Sequence, residues 1–292
     1  MISQKQYLDG RTVGVHCTVG QLTHTLPEGL PVRGMTSLAN EIYLLRWKER
    51  DQVEVYDVIT YHLQRCLDVP DLCGFTDMTS CEHYCCVYVA DHIVECIHRL
   101  DVQIAGRPAT RWDVNDVPHG ISMNAAHNLL VTCPRGRKIK EFSSHGNLLR
   151  ELTLPGDVIS PWHAIQLTDN QFIVCHCDVI NAVHRVCKIS GDGFHTDHSH
   201  GGQQGSNTDQ CNMPGHLAVD VNEFVFVADV VNRRVKLLSP TLYYVRQVVS
   251  RDKLKWCPCR LHLDTRRRRL YVADNEFKND EFTVGRVVVF TV

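Results

Sequence analysis

The chain has 292 residues, 43% of them hydrophobic and 22% charged, with a formal net charge of -2. That balance argues against a surface that seeks nucleic acid over its whole area. No apolar run approaches the roughly 20 residues needed to span a bilayer, so no membrane role is expected.

Taken in order, residues 1–9 carry no apolar core of the kind a secretion signal needs, so the expected location is cytoplasmic. Fourteen cysteines then read mainly as reduced thiols, because Cys85, Cys86, Cys133, Cys175 and Cys187 fall inside predicted strands, where a thiol behaves as a small apolar side chain. Residues 11–19 are strand-like but precede the first complete unit.

From there a pattern recurs six times. A turn and short strand open each unit, at Arg33-Gly34-Met35, Cys73-Gly74-Phe75, His119-Gly120-Ile121, His163-Ala164-Ile165, Gly215-His216-Leu217 and Cys259-Arg260-Leu261. An apolar run follows, at Ile42–Arg46, Val87–Asp91, Leu129–Cys133, Phe172–His176, Phe224–Asp229 and Leu270–Asp274. The second residues of the openings fall at 34, 74, 120, 164, 216 and 260, giving steps of 40, 46, 44, 52 and 44. Such steps, with three or four strands each, predict propeller blades at about 34–69, 70–105, 118–154, 161–190, 214–250 and 256–292, all in one domain spanning 1–292. The last unit stops after its third strand, so residues 11–19 are expected to add the outer strand beside Arg286–Phe290 and leave no unpaired edge. Residues 190–207, rich in glycine and serine, read as a mobile insertion.

These residues resemble a family. A proline or glycine, a short apolar strand, an apolar-Tyr-Val-Ala-Asp run such as Val87–Asp91 or Leu270–Asp274, then Asn232-Arg233-Arg234-Val235, is similar to the NHL repeat. The resemblance implies an all-β, six-bladed propeller of NHL type. Arg46, Cys133 and His176 stand where the repeat has Asp. Asp91, Asp229 and Asp274, which do follow the pattern, read as turn caps.

In a propeller the openings of the inner strands converge on one channel mouth. Arg33, Cys73, His119, His163, His216, Cys259 and Arg260 are the residues expected there, and imidazoles with thiols are a zinc-type donor set. Pro118-His119-Gly120 also resembles the strand starts of the peptidyl-hydroxyglycine amidating lyases, whose propeller histidines hold zinc. The resemblance implies His119 and His163 as ligands by motif and position, with His216 displaced by one residue, and zinc as the candidate ion. Arg33 or Arg260 would then bind an anionic substrate group.

Two function classes follow. The leading one is a non-enzymatic interaction module for a protein partner, as in the substrate-recruiting propellers of tripartite-motif ubiquitin ligases, with Trp47, Arg50, Arg111, Trp112, Arg135 and Arg233 as contact candidates and any ligase module on another chain. The other is a metal-dependent lyase or hydrolase. A third reading, RNA binding, rests on the basic turn Arg266-Arg267-Arg268-Arg269, which lacks interleaved aromatics for base stacking. The repeated aspartates are not catalytic candidates, and no nucleophile elbow or phosphate-cradling loop occurs.

Overall fold

The computed structural model describes residues 20–47, 52–103, 107–279 and 281–292. After strand β1 (Gln21–Thr25), the chain winds through six four-stranded antiparallel sheets. Blade one holds β2 (Val32–Leu38), β3 (Glu41–Arg46), β4 (Gln52–Asp57) and β5 (Leu63–Asp68). Blade two holds β6 (Phe75–Cys81), β7 (Cys86–Asp91), β8 (Cys96–Asp101) and β9 (Thr110–Asp113). Blade three holds β10 (Ile121–Met123), β11 (Leu129–Cys133), β12 (Lys138–Phe142) and β13 (Leu148–Thr153). Blade four holds β14 (Pro161–Gln166), β15 (Phe172–Asp178), β16 (Val183–Ile189) and β17 (His195–Gln203). Blade five holds β18 (Pro214–Val219), β19 (Val225–Asp229), β20 (Arg234–Leu238) and β21 (Tyr244–Val249). Blade six holds β22 (Cys257–Asp264), β23 (Arg269–Lys278) and β24 (Glu281–Thr291), with β1 as its outer strand. The chain is a six-bladed β-propeller. No helix among the described residues is long and apolar enough to cross a membrane.

Burial explains why the second strand of each unit has an apolar centre. β7, β11, β15 and β19 are buried at every residue, because each blade packs a neighbour on both faces. Their side chains supply six clusters, one in each gap between blades; Tyr271 and Ala273, for example, meet Ile42 and Leu44 between blades six and one. Outer strands such as β5 and β13 face solvent and mix polar with apolar residues.

Two expectations need correction. The strand that completes blade six is Gln21–Thr25, pairing Leu22 with Phe290 and Thr25 with Val288; residues 11–19 lie outside the described residues. The segment read as a mobile insertion contains β17, paired to β16 from Val183↔Gln203 to Ile189↔His195. Apolar periodicity could not reveal it, because an outer strand is held by its backbone ladder and has one solvated face. Its histidines diverge: His195 reaches Asp157 at 2.6 Å, whereas His200 is buried against Lys236 at 3.2 Å.

Ring closure by β1 predicts that a chain starting at Leu26 loses stability throughout, since β24 would then expose a bare edge. We expect its thermal midpoint to fall by several degrees or more relative to the full chain, with aggregation on heating, measured by circular dichroism and light scattering.

Candidate functional site

The inner strands share a local device. The ladder between first and second strands slips by one residue at Val32/Gly34, Phe75/Asp77, Pro161/His163, Pro214/His216 and Pro258/Arg260. In blade three His119 and Gly120 both bond to Thr132, which has the same effect. A bulge re-aims the side chains around it. Arg33, Thr76, His119, Trp162, Gly215 and Cys259 thereby form one layer, and all six line a single cavity of 460 Å³ at the mouth. Gly34, Asp77, Gly120, His163, His216 and Arg260 form the layer beneath.

That lower layer is a floor built on one carboxylate. Asp77, buried on β6, accepts from Ile121 N at 3.0 Å and from His216 Nε2 at 3.2 Å, with His163 Nε2 at 3.8 Å and Arg260 Nε at 3.4 Å. Arg260 also donates to the Arg33 carbonyl at 2.8 Å and to that of Thr76. The two imidazoles stack with centroids 3.9 Å apart. Burial alone would raise the Asp77 carboxyl, but His216, Arg260 and His163 together hold it well below the usual carboxylate range. Burial, then the neighbouring His216, keeps His163 far below the ordinary histidine value. The glycines of this layer are required by space: a Cβ on Gly120 would lie 2.3 Å from the Trp162 carbonyl and 2.9 Å from the His163 Cα, and one on Gly34 would lie 2.7 Å from the Met78 Cβ.

Above the floor the walls are aromatic. Trp47, Phe75, Trp162, Phe277 and Phe282 line the cavity, the last two from the long β23–β24 hairpin, where they pair across strands with centroids 5.1 Å apart. The Arg33 guanidinium lies 4.7 Å from the Trp47 ring and 4.6 Å from that of Phe282. His119 gives its Nδ1 proton to the Trp162 carbonyl at 3.0 Å, leaving Nε2 as an acceptor. Burial and then Arg260 lower it to about 4, so it is neutral at physiological pH.

The expected mouth residues therefore separate. Arg33, His119, Cys259 and Arg260 line the cavity; His163 and His216 lie in the floor; Cys73 is exposed and outside the lining. His216 is in register with His163, not displaced from it, and His119 is the residue offset by one. The histidine–carboxylate group brought together is Asp77, His163 and His216, with ligand atoms within 4.8 Å of one another. As held, this set does not fit a metal. Leu261 N–H donates to His216 Nδ1 at 3.3 Å, so the proton sits on Nε2, facing Asp77. His163 Nε2 likewise points at the Ile121 carbonyl at 3.3 Å, which can only accept. A ligating nitrogen needs its lone pair free, and moving the His216 proton to Nδ1 would set two N–H groups against each other.

The other candidates are distributed widely. Trp47 lines the cavity, and Arg50 is outside the described residues. Trp112, half-buried, packs edge-on to Tyr88 and tilted over Phe142 between blades two and three. Arg111 lies 3.4 Å from Asp71 on an outer strand, and Arg135, exposed on a hairpin tip, lies 3.9 Å from Glu95. Arg233 donates to the carbonyls of Trp256 at 3.0 Å and Leu254 at 3.1 Å. In the basic turn Arg266 pairs with Glu82, Arg267 bonds Asp264 at 2.8 Å and Asn40 at 2.7 Å, and Arg269 bonds the Val58 carbonyl at 2.8 Å. Asp77 and Phe282 were missed in the sequence.

Asp77→Ala should cost about 3–5 kcal/mol by stranding Arg260, a fall in thermal midpoint on the order of 10 °C, and Asp77→Ala with Arg260→Met should recover part of it. Because the carboxyl is depressed in the folded chain, its contribution is complete above the unfolded value of about 3.9 and is lost as pH falls toward the folded value. The difference between wild type and variant should therefore narrow in melts taken below about pH 4. Elemental analysis of the purified full chain should find well under one zinc per chain.

No family model matches the chain, and no curated protein matches it. Among solved structures it is similar to a protein of unknown function from Bacteroides thetaiotaomicron (13% identity over 89% of this chain and 70% of that one, TM-score 0.68). It is also similar to catalytically inactive virginiamycin B lyase from Staphylococcus aureus with quinupristin (9%, 94% and 98%, 0.61) and to the Swd1 β-propeller domain of Myceliophteria thermophila (10%, 89% and 83%, 0.58). At such identities the likeness establishes the propeller fold and nothing about activity.

Proposed function

We propose that this chain is a non-enzymatic interaction module that binds a protein partner over its channel mouth. One observation carries this reading: an aromatic cavity of 460 Å³ opens amid hairpin tips that expose aliphatic side chains to solvent. Ile93 between β7 and β8, Val179 and Ile180 between β15 and β16, Val231 between β19 and β20, and Phe277 at the end of β23 all sit on this face; Ile180 is 95% exposed and Val179 74%. Large aliphatics on neighbouring tips around a pocket make the pattern of an apolar anchor site within a broader contact surface. A role as the substrate-recognition part of a ubiquitin-ligase assembly, with the ligase on a separate chain, is the finer form of this proposal and is supported by the sequence resemblance alone.

The test compares two faces of the same ring. Val179→Asp with Ile180→Asp alters the mouth face, and Val221→Asp with Tyr243→Asp alters the opposite one. In cross-linking capture quantified by mass spectrometry, we expect partners of the wild type to be depleted at least fivefold by the mouth pair and retained by the opposite pair. Retention by the mouth pair would remove this face as the partner surface.

A further inference from the structure

The mouth cavity holds a cation that no carboxylate among the described residues neutralises. Of its two arginines, Arg260 is paired with Asp77 in the floor. Arg33 has no carboxylate within salt-bridge distance among the described residues, and its Nε is buried without a hydrogen-bond partner. Burial and then Arg260 lower its guanidinium to about 10, so it remains charged at neutral pH. Two aromatic rings lie within cation–π distance of the group and hold it at the cavity wall. The rest of the lining is mainly apolar, with Thr76, His92 and the paired Arg260 among it and His119 neutral and offering an acceptor. A fixed guanidinium in such surroundings is suited to an anion with a planar pair of oxygens, which it can hold through two parallel hydrogen bonds.

The cavity is also blind. The layer of Asp77, His163, His216 and Arg260 closes it below and separates it from a second space of 200 Å³ that is lined by the floor histidines and the lower parts of the inner strands. An extended chain that enters cannot run through. It must end there.

Resting on the partner-binding reading above, we infer that the mouth cavity takes the C-terminus of a partner polypeptide, its terminal carboxylate on Arg33 and its last, apolar side chain among Trp47, Phe75, Trp162 and Phe282. A terminal residue supplies anion and apolar group on one atom framework, and so meets both demands of the pocket at once. An acidic side chain within a continuous chain would meet the first demand while leaving two backbone exits to accommodate.

The experiment is fluorescence anisotropy on the full chain with N-terminally labelled hexapeptides ending in Leu, Phe or Trp, each as the free acid and as the amide. At least one free acid should bind at least tenfold more tightly than its amide. Arg33→Met, which keeps an apolar stem, should abolish that preference while melting like the wild type; Arg266→Met, on the opposite face, should retain it. Equal binding of acid and amide, no binding by any peptide, or a preference that survives Arg33→Met would each overturn the inference. Tighter binding of an end-capped peptide with an internal Glu would assign the site to acidic loops, and N-acetyl-phenylalanine binding as tightly as any peptide would assign it to small apolar carboxylates; either overturns the chain-end reading. Should the peptides fail while Val179→Asp with Ile180→Asp still depletes captured partners, only the carboxylate inference falls; if that depletion also fails, the partner-binding reading falls with it.

Discussion

A single buried carboxylate joins the six blades at the axis. Asp77 comes from blade two and receives a backbone N–H from blade three, imidazoles from blades four and five and a guanidinium from blade six, while that guanidinium reaches on to the Arg33 carbonyl of blade one. Adjacent blades are otherwise held mainly by apolar contact, which has no direction and tolerates sliding, and by separate hydrogen bonds such as those of Asn275 with Val32 and of Ser122 with the Ala164 carbonyl. A charge surrounded by oriented donors does not tolerate it, because each displaced donor leaves part of a buried anion unpaired. The axial network therefore fixes the rotation of the inner strands, and the apolar gaps supply most of the cohesion.

Much of the fold was legible because the second strands are buried on both faces. Stretches such as Val87–Ala90 and Leu270–Ala273 cannot take a charged residue without placing an unpaired group between blades, so the repeat survives there in readable form. The inner strands were harder to align. Matching glycines set Cys73-Gly74 beside Arg33-Gly34, whereas the ladder sets Asp77 beside Gly34, and in blade four the match falls on His163 rather than Ala164. With the ladder's alignment the floor positions are 34, 77, 120, 163, 216 and 260, the first four of them separated by equal steps. The glycines misled because they serve different needs: Gly34 and Gly120 make room at the axis, while Gly74 gives its N–H to Asp91. Phe282 was illegible for another reason. It lies on a hairpin extended beyond its blade, and nothing in local pattern says over which neighbour such an extension will fold.

The repeated aspartates do more than cap a turn. Asp91 accepts from Ile93 and Val94 in its own hairpin, but also from Cys73 and Gly74 in the segment entering its blade; Asp274 accepts from Lys255 and Trp256, and Asp229 from Asn212. Each thus ties the incoming connection to the mouth end of its second strand, directly behind the bulge. Where Arg46 replaces the aspartate, the polarity is reversed: its guanidinium donates to the carbonyls of Leu30 and Pro27 in the corresponding connection. Donor and acceptor can be exchanged because the connection offers both. That exchange explains how a blade departs from the repeat without departing from the architecture.

The bulge separates stability from recognition. Floor residues are constrained by one another through Asp77, and the second strands are constrained by the gaps they fill. The bulged residues Arg33, Thr76, His119, Trp162, Gly215 and Cys259 face the cavity, and the ladder on either side of them is made by backbone groups. Their identities can therefore vary at small cost to folding, provided the glycines beneath keep the axis open. A wall free to vary above a fixed floor concentrates specificity in a few side chains. In this chain those choices combine a guanidinium that no carboxylate among the described residues neutralises with aromatic faces, so the chemistry of the mouth is set by residues that the ring does not need in order to close.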